Sequence, residues 1–271
     1  VYILDIGYPS NQQEQDEVKE ILEHWTNEND ITIYWVDHHF TTKEMPEIKG
    51  VRVLYSNDLC TSQLIHMFIM DKSLKDEWEW LMRYGAIADR KLKARDKSEK
   101  MNVMLLDTYW RVKTTYGTRR KITRWLKNGQ RPEDIKPMLK AYAEYKSELP
   151  THLSAIEGHK YHESKDLVVF VLESRKDVVD GMMGKFASIM SYQYKKPAML
   201  IFPSEEEGKY VFTARDSTQK LRQDMRVTIL HGIIFKLGGS GGGHPGAVGG
   251  MIPEEKLEKL LEIITTTTTK K

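Results

Sequence analysis

The sequence predicts an α/β protein built as a doubly wound, mostly parallel sheet domain, a helical connector and a smaller α/β C-terminal domain. Three observations predict it. Strand-like and helix-like segments alternate from Val1 to Ala88. A charged, helix-patterned stretch runs from Met101 to Leu149, and a second alternation begins at Leu167. Strand–helix–strand order implies parallel pairing with crossover helices. A length of 271 residues is enough for two cores.

Each element follows from its local pattern. Val1 to Leu4 is apolar and β-branched at its start, so it reads as a strand. Gln13 to Trp25 is amphipathic and acidic early, which suits a helix. Ile31-Thr32-Ile33-Tyr34-Trp35-Val36 reads as a buried strand and Val51 to Tyr55 as another. Ser62 to Met70 and Asp76 to Ala88 read as helices. Pro150 with Thr151 marks a boundary after the connector. Beyond it, strands are expected at Leu167–Leu172, Ala198–Phe202 and Tyr210–Ala214, with helices at Val178–Tyr194 and Gln219–Lys236. A glycine-rich loop, a strand at Ala247–Ile252 and a helix at Pro253–Ile264 complete the chain. Thr265 to Thr269 and two lysines form a low-complexity tail.

Composition narrows the class. Apolar residues make up 40% and charged residues 30%, as in a globular protein. A formal charge of +2 excludes a strongly basic, duplex-coating protein but leaves room for a local basic cleft. Cys60 is the single cysteine, so no internal disulfide or cysteine-rich zinc site is possible. No apolar stretch is long enough to span a bilayer and no signal peptide is visible, so a cytoplasmic location is expected. The chain opens on Val1 without a Met, already inside a strand-like run, and we expect it to lack its natural beginning.

Asp37-His38-His39 is the most informative feature. Two imidazoles and a carboxylate at the carboxyl end of a buried strand are costly unless something binds them, and a divalent metal suits them best. Ligands of open α/β sheets sit beyond the carboxyl ends of the strands, where Asp5 and Asp37 both fall. Asp5, His38 and Asp89 are each delivered to one cleft by a strand or helix end, and Mn²⁺ accepts imidazole as well as carboxylate. Tyr84-Gly85-Ala86-Ile87-Ala88, before Asp89, is small enough to bring the backbone close to the sheet. Taken alone, an Asp at a strand end is usually a turn or cap residue. The run Gly238-Gly239-Ser240-Gly241-Gly242-Gly243-His244-Pro245-Gly246 supplies the second signal. Gly241, Gly242 and Gly243 would let backbone N–H groups approach phosphate oxygens, with His244 as a further donor. Its plainer reading is a linker. Together the two signals point to metal-assisted cleavage of phosphate esters.

These motifs resemble the DHH phosphoesterase superfamily with its DHH-associated C-terminal domain, a group with RecJ-like exonucleases, nanoRNase-type oligoribonucleases and cyclic-di-AMP or pApA phosphodiesterases. Val36-Asp37-His38-His39 looks like the name-giving motif, Leu4-Asp5-Ile6-Gly7 like the motif one strand earlier, and Ala86-Ile87-Ala88-Asp89 like the later ligand motif. Gly241-Gly242-Gly243-His244-Pro245 looks like the substrate loop, and Thr213-Ala214-Arg215-Asp216-Ser217 like the arginine-bearing strand end.

The resemblance implies a catalytic metal domain over residues 1–115, a connector over 116–160 and a substrate-binding domain over 161–271. It implies two Mn²⁺ or Mg²⁺ ions in the intact protein. Asp5 would bridge them, His38 and Asp89 would ligate one, His39 would face the scissile phosphate and Asp37 would orient an imidazole. Arg215, Gly241, Gly242, Gly243 and His244 would hold the nucleotide. The implied substrate is a short oligonucleotide or single-stranded nucleic acid, with a cyclic or linear dinucleotide as the rival. Pyrophosphatase relatives and alanyl-tRNA synthetases share single parts of this set.

Two departures bear on these expectations. The family's first motif, a His and two Asp, should precede Asp5, which has only four residues before it. Truncation is the favoured reading, which leaves residues 1–271 with little or no activity and at most one well-held ion. A non-catalytic nucleic-acid-binding scaffold is the alternative. Arg90-Lys91 also replaces the small polar residue expected after Asp89. Arg119, Arg120, Lys121, Arg124 and Lys127 could track a nucleic-acid backbone or form a solvated helix face. Trp78 and Trp80, two apart, cannot share a helical face; an exposed ring could stack on a base, but core packing is the favoured reading.

Overall fold

The computed structural model describes residues 1–9, 12–28, 31–39, 45–113, 115–174, 181–216, 230, 232–234, 236–244 and 246–269, with backbone alone at 243–244 and 267–269. The described chain is mixed α/β and divides into two compact units, Val1–Asp107 with Arg131–Glu133, and Thr108–Gln130 with Asp134–Lys271.

The first unit contains a parallel sheet of three strands, β1 (Tyr2–Leu4), β2 (Ile33–Asp37) and β3 (Val51–Tyr55), in that order. Helix α1 (Gln12–Glu28) makes the β1-to-β2 crossover. Leu22 of α1 packs with Ile33 and Trp35 of β2 and with Tyr8 and Ile48, all buried. Alternate residues of β2 thus build this core, as a strand's period of two requires. After β3 the chain forms α2 (Thr61–Leu64), which passes into a π-helical turn over Ile65–Ile69, then α3 (Lys75–Ala88) and α4 (Lys97–Val112). The expected single helix over Ser62–Met70 is therefore two segments.

Gly85, in the small run before Asp89, lies against α2. A Cβ on Gly85 would lie 2.5 Å from Ser62 Oγ. That hydroxyl donates to the Met82 carbonyl at 3.0 Å, locking α2 onto α3. Trp78 and Trp80 also depart from the helical-face expectation. Their rings stack at 6.2 Å, and the Arg131 guanidinium lies 3.9 Å from the Trp80 centroid. Long flat side chains reach around the helix where Cβ directions diverge.

The second unit contains α5 (Tyr116–Lys127), α6 (Lys136–Gly158) and a six-stranded mixed sheet. Its strands are β4 (Lys160–Glu163), β5 (Val168–Val171), β6 (Ala198–Pro203), β7 (Lys209–Arg215), β8 (Ser240–His244) and β9 (Ala247–Pro253). Their order is β4-β5-β6-β7-β9-β8, with only β5 and β6 parallel. Helices cover both faces. Val168, Phe170, Ala198, Leu200 and Phe202 pack with Phe186 and Met190 of α7 (Met183–Tyr194) and with Tyr145 and Ile156 of α6. The intervening Val169, Met199 and Ile201 pack with Leu260, Leu261 and Ile264 of α8 (Leu257–Thr269). Both faces being covered explains why β5 and β6 are uninterrupted apolar runs.

Three expectations are corrected here. Pro150 lies inside α6 and marks no boundary. An interior proline costs a helix about 3 kcal/mol, which burial of Tyr145 and Ile156 on either side offsets. The threonine tail is helical through Thr269, with the Thr265 and Thr266 hydroxyls donating to carbonyls one turn back. The glycine-rich loop is strand β8, paired antiparallel with β9. Most of the expected helix at Gln219–Lys236, the first residues of that at Val178–Tyr194, Ser217 and Pro245 lie outside the described residues.

Glycine is poor in strands, yet β8 requires it. A Cβ on Gly241 would lie 2.8 Å from Gly250 Cα, and one on Gly250 would lie 2.7 Å from Gly241 Cα. Nothing lies within 4 Å of a Cβ on Gly242. Gly250→Ala should therefore lose about 1–3 kcal/mol through overpacking, read as a fall in Tm, whereas Gly242→Ala should unfold close to wild type.

Candidate metal centre

Strand register brings the first two carboxylates together. Leu4 pairs with Val36, so Asp5 and Asp37 sit side by side at the carboxyl ends of β1 and β2. Asp5 then turns out of the sheet with φ 61°. This left-handed conformation costs most L-residues about 1–2 kcal/mol, and Asp is among the few that visit it. It is held by the Asp5 N–H donating to the Val36 carbonyl at 3.0 Å and by Trp35 Nε1 donating to the Ile6 carbonyl at 2.9 Å.

His38 lies between two carboxylates. Its Nδ1 is 3.1 Å from Asp5 Oδ1 and its Nε2 is 3.9 Å from Asp89 Oδ2. Asp5 and Asp89 thus each approach His38, one at each ring nitrogen. Asp37, Asp5, His38 and His39 offer ligand atoms that all lie within 4.8 Å of one another and could hold a metal ion. Asp37 is buried, and its Oδ1 accepts from His39 Nδ1 at 2.7 Å. That commits Nδ1 and leaves His39 Nε2 as the available nitrogen. Gly7 makes room for this ring, because a Cβ there would lie 3.2 Å from His39 Cβ.

The electrostatics follow from these contacts. The His38 hydrogen bond, helped by Thr61 and opposed by burial, lowers the Asp5 pKa. The hydrogen bond to Asp37 raises that of His39. Burial raises that of Asp89, against the pull of His38. One pair of carboxylates is thus pushed in opposite directions by different surroundings.

Sequence reasoning missed Thr61. Its hydroxyl donates to Asp5 Oδ1 at 2.7 Å and lies 3.1 Å from His38 Nδ1. Thr61 opens α2, just beyond the carboxyl end of β3. That position, shared with Asp5 and Asp37, was the one signal that could have found it. Cys60, fully buried beside Thr61, places its Sγ 3.1 Å from Ser62 Oγ.

In the second unit Arg215 ends β7. Its Nη1 donates to the carbonyls of Ala214 at 3.0 Å and Val248 at 3.3 Å. The guanidinium lies over Gly184 at the start of α7, where a Cβ would come within 2.7 Å of Nη2. Arg215, Ala247 and His244 form one row across β7, β9 and β8. The side chain of His244 lies outside the described residues. Gly241, Gly242 and Gly243 lie along β8 beside that row.

Comparison with known proteins adds to this geometry. Residues 165–270 match the DHHA1 domain family. No curated protein matches the chain. The pGpG-specific phosphodiesterase PggH from Vibrio cholerae is similar at 14% identity and TM-score 0.56, covering 88% of this chain and 83% of that one. RecJ from Thermus thermophilus, in complex with Mn²⁺, is 16% identical at TM-score 0.60 and is matched over 99% of this chain. The chain spans 44% of that RecJ. A DHH domain described as a member of a family of ribosomal proteins shares 17% identity and TM-score 0.60, covering 98% of this chain and 69% of its own. The C-terminal residues 165–270 carry the DHHA1 match, and the chain as a whole shares its fold with these structures.

The His39–Asp37 pair has a measurable pH signature. His39 binds its proton more tightly folded than unfolded, so the pair's stabilisation is complete below pH 6.5, the ordinary value, and is lost as pH rises through the raised folded value. In chelator, Asp37→Asn should lower the His39 pKa in an NMR titration and remove that part of the pH-dependence of unfolding. A His39 titration unmoved by Asp37→Asn would contradict the assignment.

Proposed function

We propose that the chain is a divalent-metal-dependent phosphodiesterase acting on short oligonucleotides or single-stranded nucleic acid. The convergence of Asp5 and Asp89 on His38, with His39 alongside, is the observation that carries this reading. The donor set fits Mn²⁺, since it mixes carboxylate with imidazole, and Mg²⁺ is the second candidate. Asp5, His38 and Asp89 would hold an ion. The family resemblance implies a second, with Asp5 between the two. Bound metal would polarise a phosphoryl oxygen and lower the pKa of water.

The chain's own residues supply position and charge. Thr61 keeps an Asp5 oxygen turned toward His38. Asp37 fixes the His39 ring so that Nε2 would meet the scissile phosphate. In the second unit Arg215, the backbone N–H groups of Gly241 to Gly243 and His244 would bind the nucleotide. A linear or cyclic dinucleotide is the second reading, favoured by the fold shared with PggH over most of both chains.

Any hydrolysis of a short oligonucleotide should require Mn²⁺ or Mg²⁺, cease in chelator and return with Mn²⁺. His38→Ala should leave the protein folded and remove turnover, a loss of several kcal/mol of transition-state stabilisation. Full activity in a verified metal-free sample, or near-normal turnover by folded His38→Ala, would refute the reading. Oligonucleotide binding without any Mn²⁺ binding would favour a non-catalytic scaffold, and faster cleavage of a dinucleotide than of longer strands would favour the second reading. Thr61→Val, which keeps the shape and removes the donor, should weaken Mn²⁺ binding about 10–100-fold by calorimetry.

A further inference from the structure

We propose that the solvent face of α5 is a binding strip for single-stranded nucleic acid, separate from the metal centre. The proposal rests on the nucleic-acid substrate class argued above. Helix α5, Tyr-Gly-Thr-Arg-Arg-Lys-Ile-Thr-Arg-Trp-Leu-Lys, carries Arg119, Arg120, Lys121, Arg124 and Lys127 and no acidic residue. Tyr116, Arg119, Arg120, Arg124 and Lys127 recur at three- and four-residue spacing, so they share one face. All five are exposed.

The opposite face fixes this orientation. Ile122 is buried and Trp125 packs its ring against Tyr109 at 5.9 Å. The helix is thereby anchored with its cations outward over about 18 Å, at 1.5 Å per residue.

A solvated helix face normally mixes signs. Elsewhere in the chain exposed charges do pair: Lys19 with Glu23 on α1 and Lys140 with Glu144 on α6. On α5, among the described residues, Arg119, Arg120, Lys121, Arg124 and Lys127 have no carboxylate partner. Arg120 and Arg124, four apart, repel one another. Such a face lacks counter-charge, and a phosphate backbone supplies it at regular intervals.

Aromatic rings select single strands over an undifferentiated polyanion. Tyr116 is 75% exposed and Trp110, near the end of α4, is 45% exposed. Arg120 lies 5.9 Å from the Tyr116 ring and Arg119 4.9 Å from that of Trp110. Exposed rings flanked by guanidinium groups offer both stacking for unpaired bases and charge for their phosphates.

The test is anisotropy of a labelled single strand of about twelve nucleotides, with the full chain in chelator so that nothing is cleaved. The slope of log affinity against log salt is about −0.7 per phosphate neutralised on a single strand. Arg120→Gln with Arg124→Gln should make that slope shallower by about 1.4 and weaken binding at least tenfold. Tyr116→Ala should weaken binding about tenfold at an unchanged slope. Circular dichroism verifies that each variant retains its helices. Mn²⁺ affinity by calorimetry, measured on the same variants, should match wild type. Wild-type affinity and slope in the variants would overturn the strip and leave the phosphodiesterase reading standing. No Mn²⁺ binding by any protein, with the binding losses intact, would overturn that reading and leave the strip. Equal binding of labelled polyglutamate, insensitive to Tyr116→Ala, would overturn it in favour of an acidic protein partner.

Discussion

The N-terminal unit depends on where one imidazole is held. The His38 side chain is 13% exposed and faces a carboxylate at each ring nitrogen. An enclosed polar ring is tolerable only with partners, and these come from separate elements. Asp5 leaves β1, Asp89 caps α3 and Thr61 opens α2. The parallel register is therefore a condition of the site. A one-residue slip between β1 and β2 would send alternate side chains to the opposite face and separate Asp5 from the strand end that presents His38.

Much of this was legible in the sequence because strand ends announce themselves. An apolar β-branched run that stops at Asp-His-His locates both the strand and its carboxyl end. Asp5, His38 and Asp89 could be named from that logic together with the family resemblance. Thr61 could not. A threonine at the start of a helix is most often a cap, and only the fold reveals that its hydroxyl reaches back to a carboxylate 56 positions earlier. Trp78 and Trp80 misled for the converse reason. Helical spacing governs where Cβ atoms point, not how far two indoles extend.

The second unit misled where composition opposes conformation. Glycine-rich, threonine-rich and proline-containing segments read as loop, tail and boundary, yet they form β8, the end of α8 and the middle of α6. In each case packing overrides propensity. For β8 the cause is specific, since Gly241 and Gly250 face each other at a separation that leaves no space for a Cβ on either. Some of the glycines read as phosphate cradles thus have a prior structural task. Gly242, with open space where its Cβ would be, has none and remains the stronger candidate for a close ligand approach.

The Arg90-Lys91 departure also acquires a physical account. The Lys91 N–H donates to the Ala86 carbonyl and the Arg90 N–H to that of Ile87, so the end of α3 is a Schellman motif. Arg90 takes its left-handed position at φ 59°, where glycine would sit without penalty. Lys91 Nζ donates to the Asn57 carbonyl at 2.6 Å, tying this cap to the segment that delivers Thr61. From the other side, Arg83 of α3 donates to Glu99 of α4 at 2.6 Å, and this pairing holds the Glu99 pKa down to about 2. Asp89 is therefore braced from both directions. The residues after it are accounted for by how α3 ends, so they carry no information about which phosphodiester the site would cleave. That information must come from the groups that would touch the nucleotide.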